Sequence, residues 1–157
     1  KIRQTKPSKI FLILLLLKLI NRQMKKITLI LFLLLNFIVY SQDKKYLTDR
    51  NEAINLIMIK EYDKALVKIN SSLKLKENEA DSYYIRGNIF QAKNLLEKAK
   101  TDYLKAIKLN PNHRDAMAKC AIIYGMQKDM SNFCYYAKKA CSLGSSEACD
   151  MTKRFCN

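Results

Sequence analysis

The order of apolar and polar positions changes character near residue 41. From Ile27 to Val39 apolar side chains follow one another almost without a break, with Met24-Lys25-Lys26 before them and Tyr40-Ser41 after. A helix over such a run rises about 20 Å, short of the roughly 30 Å hydrocarbon core of a bilayer. A charged start, a short apolar middle and a small residue at the end predict a signal peptide over residues 24–41, cut before Gln42. An uncleaved membrane anchor and a buried core helix are the alternatives. A second apolar stretch, Ile10 to Ile20, is interrupted by Lys18, and Met24 is the first methionine. Residues 1–23 therefore read as an upstream artefact of the start site or as a genuine extension. No Cys lies near position 42 to accept a lipid, so the cut product is expected to be soluble.

Beyond residue 41 the apolar positions become periodic. Tyr83, Gly87, Phe90, Ala99, Tyr103, Ala106 and Pro111 alternate aromatic and small residues at spacings suited to two packed helices. Gly87 lets the first helix approach its partner, because a Cβ there would push the backbones apart. Ala99 and Ala106 do the same from the second helix, while Tyr83, Phe90 and Tyr103 fill the space beside those contacts. Asn110-Pro111 ends the second helix, since the residue before Pro is steered out of helical geometry.

Shifting the frame back by 34 residues gives Asp49, Ala53, Leu56, Ala65, Ile69, Ser72 and Glu77; shifting it forward gives Met117, Ala121, Tyr124, Phe133, Ala137, Ala140 and Ser145. Most of the small positions survive in both frames. The offsets in residues 80–113 strongly resemble the tetratricopeptide repeat, with a degenerate copy before and another after. Arg86, where the family usually has Leu, and Phe133, where it usually has Ala, depart from the pattern.

The resemblance implies an all-α fold: a right-handed α-solenoid of about three helix pairs over residues 42–145, closed by a capping helix over 146–157. It also implies a concave groove lined by the first helix of each pair. The family's binding positions fall on Asp81, Tyr84, Asn88 and Gln91, on Asp115, Ala118, Ile122 and Gly125, and on Leu47, Arg50, Ile54 and Ile57. Of these, Asp81, Tyr84, Asn88, Gln91, Asp115 and Ile122 are the expected ligand-binding residues. Tyr84 is the strongest single anchor, with packing between repeats as its alternative role. Some members of the family grip a C-terminal carboxylate with Lys and Asn; Asn88 fits, but Tyr84 and Ala118 stand where cations are needed, so that specificity is not expected.

Five cysteines, Cys120, Cys134, Cys141, Cys149 and Cys156, all lie beyond the leader. Cys134 and Cys141 are seven apart on one predicted helix, about 10.5 Å in rise, too far to bond each other. Folding two helices about Leu143-Gly144-Ser145-Ser146 sets Cys141 opposite Cys149 and Cys134 opposite Cys156. Those two disulfides are expected, with Cys120 left free and buried. The same stretch also resembles the cysteine-paired Sel1-like repeats. Four-Cys zinc binding is disfavoured, because no C-x₂₋₄-C pair is present.

Charge changes the picture less than it first promises. The chain's formal charge of +15 includes eight Lys or Arg in residues 1–41, which hold no acid; the remainder carries 21 basic and 14 acidic residues, about +7. With the basic excess concentrated in a leader, nucleic-acid binding is not expected. Three glycines and one histidine, His113, leave no phosphate-binding loop and no catalytic constellation, so neither an enzyme nor a cofactor or metal site is expected. His113 reads as a solvated loop residue. The expected function is an exported, periplasmic or secreted adaptor for a protein or peptide. A structural piece of the cell envelope, on the membrane only if the leader stays uncut, is the alternative.

Overall fold

The computed structural model describes residues 9–156, with side chains at residue 18 and from residue 20 onward, so the expectation for residues 1–23 falls partly outside the described residues. Among these there are seven helices and no strand: α1 (Lys9–Met58), α2 (Tyr62–Leu75), α3 (Ala80–Ala92), α4 (Leu96–Leu109), α5 (Arg114–Met126), α6 (Met130–Ser142) and α7 (Ser146–Phe155). Two compact units divide between Gln42 and Asp43. In the first unit the described side chains of α1 are exposed throughout. The helix carries a stretch, within Ile20–Met58, long and apolar enough to cross a membrane by length and composition.

The second unit is a stack of helix pairs: the end of α1 with α2, α3 with α4, α5 with α6, and α7 closing the series. Its core runs through the stack as linked clusters. Ala53, Ala65, Ile69, Ile85 and Ile89 join α1, α2 and α3; Ala99, Tyr103, Ala106, Ala116, Cys120 and Ile123 join α4 to α5; Met117, Ala118, Ala140 and Ala148 join α5, α6 and α7. Alanine recurs because helices in such a stack meet at close range, and the large side chains sit in the gaps beside them.

The turns show the repeat most plainly. Lys60, Asn94 and Lys128 each adopt a left-handed backbone, with φ of 62°, 59° and 62°, and they stand 34 residues apart. Each closes the turn inside a helix pair. The turns between pairs are built differently. Asn110 is extended ahead of Pro111 and stops α4. Gly144, at φ 89°, reverses the chain between α6 and α7, and the Ser145 hydroxyl then caps α7 by accepting from the Ala148 N–H at 3.2 Å. Acidic residues in the first turns, Asp63, Asp81, Glu97, Asp115 and Glu147, suit the positive ends of those helices.

Two departures from the family pattern have physical explanations. Arg86 lies on α3, where its guanidinium makes a bidentate pair with Asp102 of α4: Nε donates to Oδ2 at 2.7 Å and Nη2 to Oδ1 at 2.8 Å. Its remaining nitrogen, Nη1, donates to Asn70 Oδ1 of α2 at 2.9 Å, so one side chain ties three helices. The pairing with buried Asp102 raises the Arg86 pKa further above its ordinary value. Phe133, on α6, is buried against Gly125 of α5, where an added Cβ would sit 3.0 Å from the ring. The bulk of Phe133 is accommodated because the facing residue lacks a side chain.

Candidate functional site

The first helices of the pairs, the end of α1 with α3 and α5, carry the predicted groove positions. Asp81 opens α3 with an exposed carboxylate. It lies 3.9 Å from Arg50 Nη1 on α1 and 3.5 Å from His113 Nε2 at the start of α5. One acid thus lies close to groups from the three helices that line this face.

Tyr84, one turn further along α3, is half-buried. Its ring packs 4.9 Å from the His113 ring and 5.8 Å from the Tyr103 ring. Asn88 and Gln91 continue the same stripe. The Tyr103 hydroxyl, rising from the core beneath, lies 2.8 Å from Asn88 Oδ1 and 2.7 Å from Gln91 Oε1. A single hydroxyl hydrogen serves one acceptor at a time, so the two amides share one anchor. Burial pushes the Tyr103 hydroxyl pKa far above the ordinary tyrosine range, and it remains a neutral donor.

The structure therefore brings Asp81, Tyr84, Asn88 and Gln91 together on one helix face. Asp115 stands exposed in the first turn of α5, paired with its neighbour Arg114 at 3.2 Å, and Ile122 is half-buried further along α5. Leu47 and Ile54 on α1 are exposed, giving the face an apolar end. Ala118 differs from its expected place on the groove: it is buried with Ala148 and Met151 of α7 in the cluster that seats the cap.

His113 also corrects the sequence-based expectation. It is 9% exposed instead of solvated. Its Nδ1 accepts from the Ala116 N–H at 3.3 Å and caps α5, while Nε2 is buried with no hydrogen-bond partner. No pattern in the sequence marks this role, since His is an uncommon N-cap.

At the far end, Cys134 of α6 meets Cys156 with Cα atoms 5.5 Å apart, and Cys141 meets Cys149 of α7 at 4.6 Å, both at disulfide distance. Cys120 is buried and unbonded, and burial pushes its thiol up to about 12. Among the described residues no cluster of His, Cys, Asp or Glu is arranged to hold a metal ion.

Residues 80–113 match the family model for the tetratricopeptide repeat. No curated protein matches the chain. Among solved structures it is similar to the Arabidopsis OM64 TPR domain, with a TM-score of 0.68 and 16% identity over 73% of this chain and 96% of that one. It is similar to the first TPR of Spaghetti (RPAP3) bound to the HSP90 peptide SRMEEVD, with a TM-score of 0.67 and 13% identity over 72% and 91% of the two chains. It is also similar to MamA, with a TM-score of 0.60 and 22% identity over 62% and 57%. The chain thus carries a tetratricopeptide repeat, and the array around it has the tetratricopeptide-solenoid fold.

Proposed function

We propose that the chain is an adaptor that binds a segment of another protein on the face formed by α1, α3 and α5. The observation that carries this is the continuous stripe of Asp81, Tyr84, Asn88 and Gln91, held in place by Tyr103 and His113 underneath. A preorganised polar stripe with an aromatic centre suits a peptide backbone, because little side-chain entropy is left to lose on binding. The RPAP3 domain of the same fold was solved with a peptide bound, which supports a peptide or protein ligand here.

The test places a photo-crosslinking amino acid at Asn88 or Ile122 and, for comparison, at Lys105 on the second helix of the middle pair. A discrete crosslinked partner from the first two positions, lost with Tyr84→Ala and absent from the third, supports the groove. Equal crosslinking from Lys105 would overturn it.

We further infer that residues 24–41 act as a cleaved export leader, that residues 42–145 form the mature array, and that both cysteine pairs close as disulfides outside the cytoplasm. The apolar stretch in α1 and the two cysteine pairs at bonding distance support this together. Intact mass of the exported protein, alkylated without reductant, is expected to start at Gln42 with four unreactive Cys. The same stretch favours a second reading, a membrane-tethered assembly component. That reading requires a product that keeps the leader and stays with membranes through alkaline washing.

A further inference from the structure

The large apolar side chains that the array leaves exposed are unevenly placed. In a stack of antiparallel helix pairs, the turns inside pairs fall on one edge and the turns between pairs on the other. The inner turns follow α1, α3 and α5. The end of α7 reaches the same edge, because α7 takes the first-helix place of a further pair. On this edge stand Met58, Ile59, Leu95, Met126, Met130 and Phe155, from 38% to 77% exposed. The opposite turns, residues 76–79, 110–113 and 143–145, present no exposed large apolar side chain. Met130 and Phe155 border one cleft with Gly125 and Phe133, so the apolar surface is continuous at the C-terminal end.

Charge on this edge is predominantly positive: its cations outnumber its acids, of which Asp129 keeps its charge. Its acids are engaged: Glu61 with Lys64 at 3.4 Å, Asp63 with Lys93 at 2.7 Å, Glu97 with Lys100 at 3.0 Å, and Asp129 in capping α6 through the Asn132 N–H at 3.1 Å. Lys60, Lys128 and Arg154 make no ion pair among the described residues.

We propose that this edge docks on the surface of an anionic lipid bilayer, with the apolar tips at the headgroup boundary and the three free cations on lipid phosphates. Exposed apolar side chains set beside unpaired cations are what an interfacial surface requires. A peptide partner is the poorer fit, because the edge presents separate tips where a groove would be needed. Delivery to a bilayer rests on the leader proposed above.

The chain contains no Trp, so a single introduced indole reports one place. The mature protein beginning at Gln42, which holds the compact second unit entire, is mixed with phosphatidylglycerol vesicles whose acyl chains are brominated, carrying Met126→Trp, Met58→Trp or Asn112→Trp. Quenching at Met126→Trp and Met58→Trp is expected to exceed that at Asn112→Trp by at least about threefold, since only an indole at the interface meets the bromines. Adding Lys60→Gln, Lys128→Gln and Arg154→Gln should reduce edge quenching by about half or more and leave the far-ultraviolet circular dichroism unchanged. No edge quenching in a protein that the intact mass shows to begin at Gln42 would overturn the docking edge while sustaining the leader. Equal quenching at Asn112→Trp would also overturn it. So would a spectral shift of the edge reporters with rising protein concentration and no vesicles, which would assign the edge to a second copy of the chain.

Discussion

The pairs α3–α4 and α5–α6 reach the same packing with the glycine of the first helix and the facing ring of the second displaced by one turn between them. In the first, Gly87 is the small partner and Tyr103 the large one; a Cβ on Gly87 would lie 2.5 Å from the Tyr103 ring. In the second, the position 34 residues after Gly87 is Ala121, and the glycine has moved one turn on, to Gly125, opposite Phe133. The repeat therefore conserves the volume between two helices more strictly than it conserves which residue supplies it. A second difference concerns the ends of the stack: α6 and α7 carry two cysteine pairs, whereas α1, α2 and α3 are held by packing and by polar ties such as Ser71 with Asp49 and Arg86 with Asn70.

The comparison is broken most severely at Gly87. Gly87→Ala forces the Tyr103 ring, fully buried and anchoring Asn88 and Gln91, out of its place, and is expected to cost about 3 kcal/mol in denaturant unfolding. Replacing Cys134 and Cys156 together by Ala is next. Closing a loop of 22 residues is expected to contribute about 3 kcal/mol, and the eight-residue loop of Cys141–Cys149 about 2.5 kcal/mol. Those losses should appear in oxidised protein and vanish when wild type and variant are compared under reductant.

Arg86→Leu restores the family's usual residue but leaves the Asp102 carboxylate buried without its cation. It is expected to destabilise by about 2 kcal/mol, and adding Asp102→Leu should recover most of that loss. Gly125→Ala meets the Phe133 ring at 3.0 Å, a contact that a small ring movement relieves, so a cost of about 1 kcal/mol is expected. The contrast with Gly87→Ala measures how much more firmly the middle pair is packed.

The smallest effect is at the cap of α6. The Asn132 side chain and backbone N–H hold the Asp129 carboxyl below its ordinary pKa. A lowered carboxyl stabilises the fold above its unfolded pKa, and the contribution is lost as pH falls through the folded value. Amide protection factors in the first turn of α6 should therefore fall on acidification below the usual carboxylate range, and Asp129→Asn should flatten that dependence.

The repeats were legible in the sequence because glycine, alanine and aromatic spacings are imposed by helix contact, and contact has a fixed period. The cysteine pairing was legible for a related reason: both partners count their distance from one turn. Other features depend on long side chains reaching across helices, which leaves no periodic trace. Arg86 finds Asp102 sixteen residues away, and the Tyr103 hydroxyl reaches two amides of α3. His113 reads as a loop residue because its neighbours are Asn112 and Arg114. Only the closeness of Tyr84 reveals that it is covered. Ala118 satisfied the groove pattern, yet the cap that buries it against Ala148 belongs to another pair.

With both cysteine pairs closed, the array has a polarity in time as well as in sequence. Stability in a stacked solenoid is close to a sum of terms between neighbours, so partial opening starts where the end term is weakest. The riveted α6–α7 end cannot be that place. Opening should start at α2 and advance toward α5, and refolding from an oxidised chain should run the other way, with the stapled pair as a seed already in register. The face formed by α1, α3 and α5 would then be assembled last from its α1 side, so the Arg50–Asp81 contact closes after the Tyr84–His113 contact.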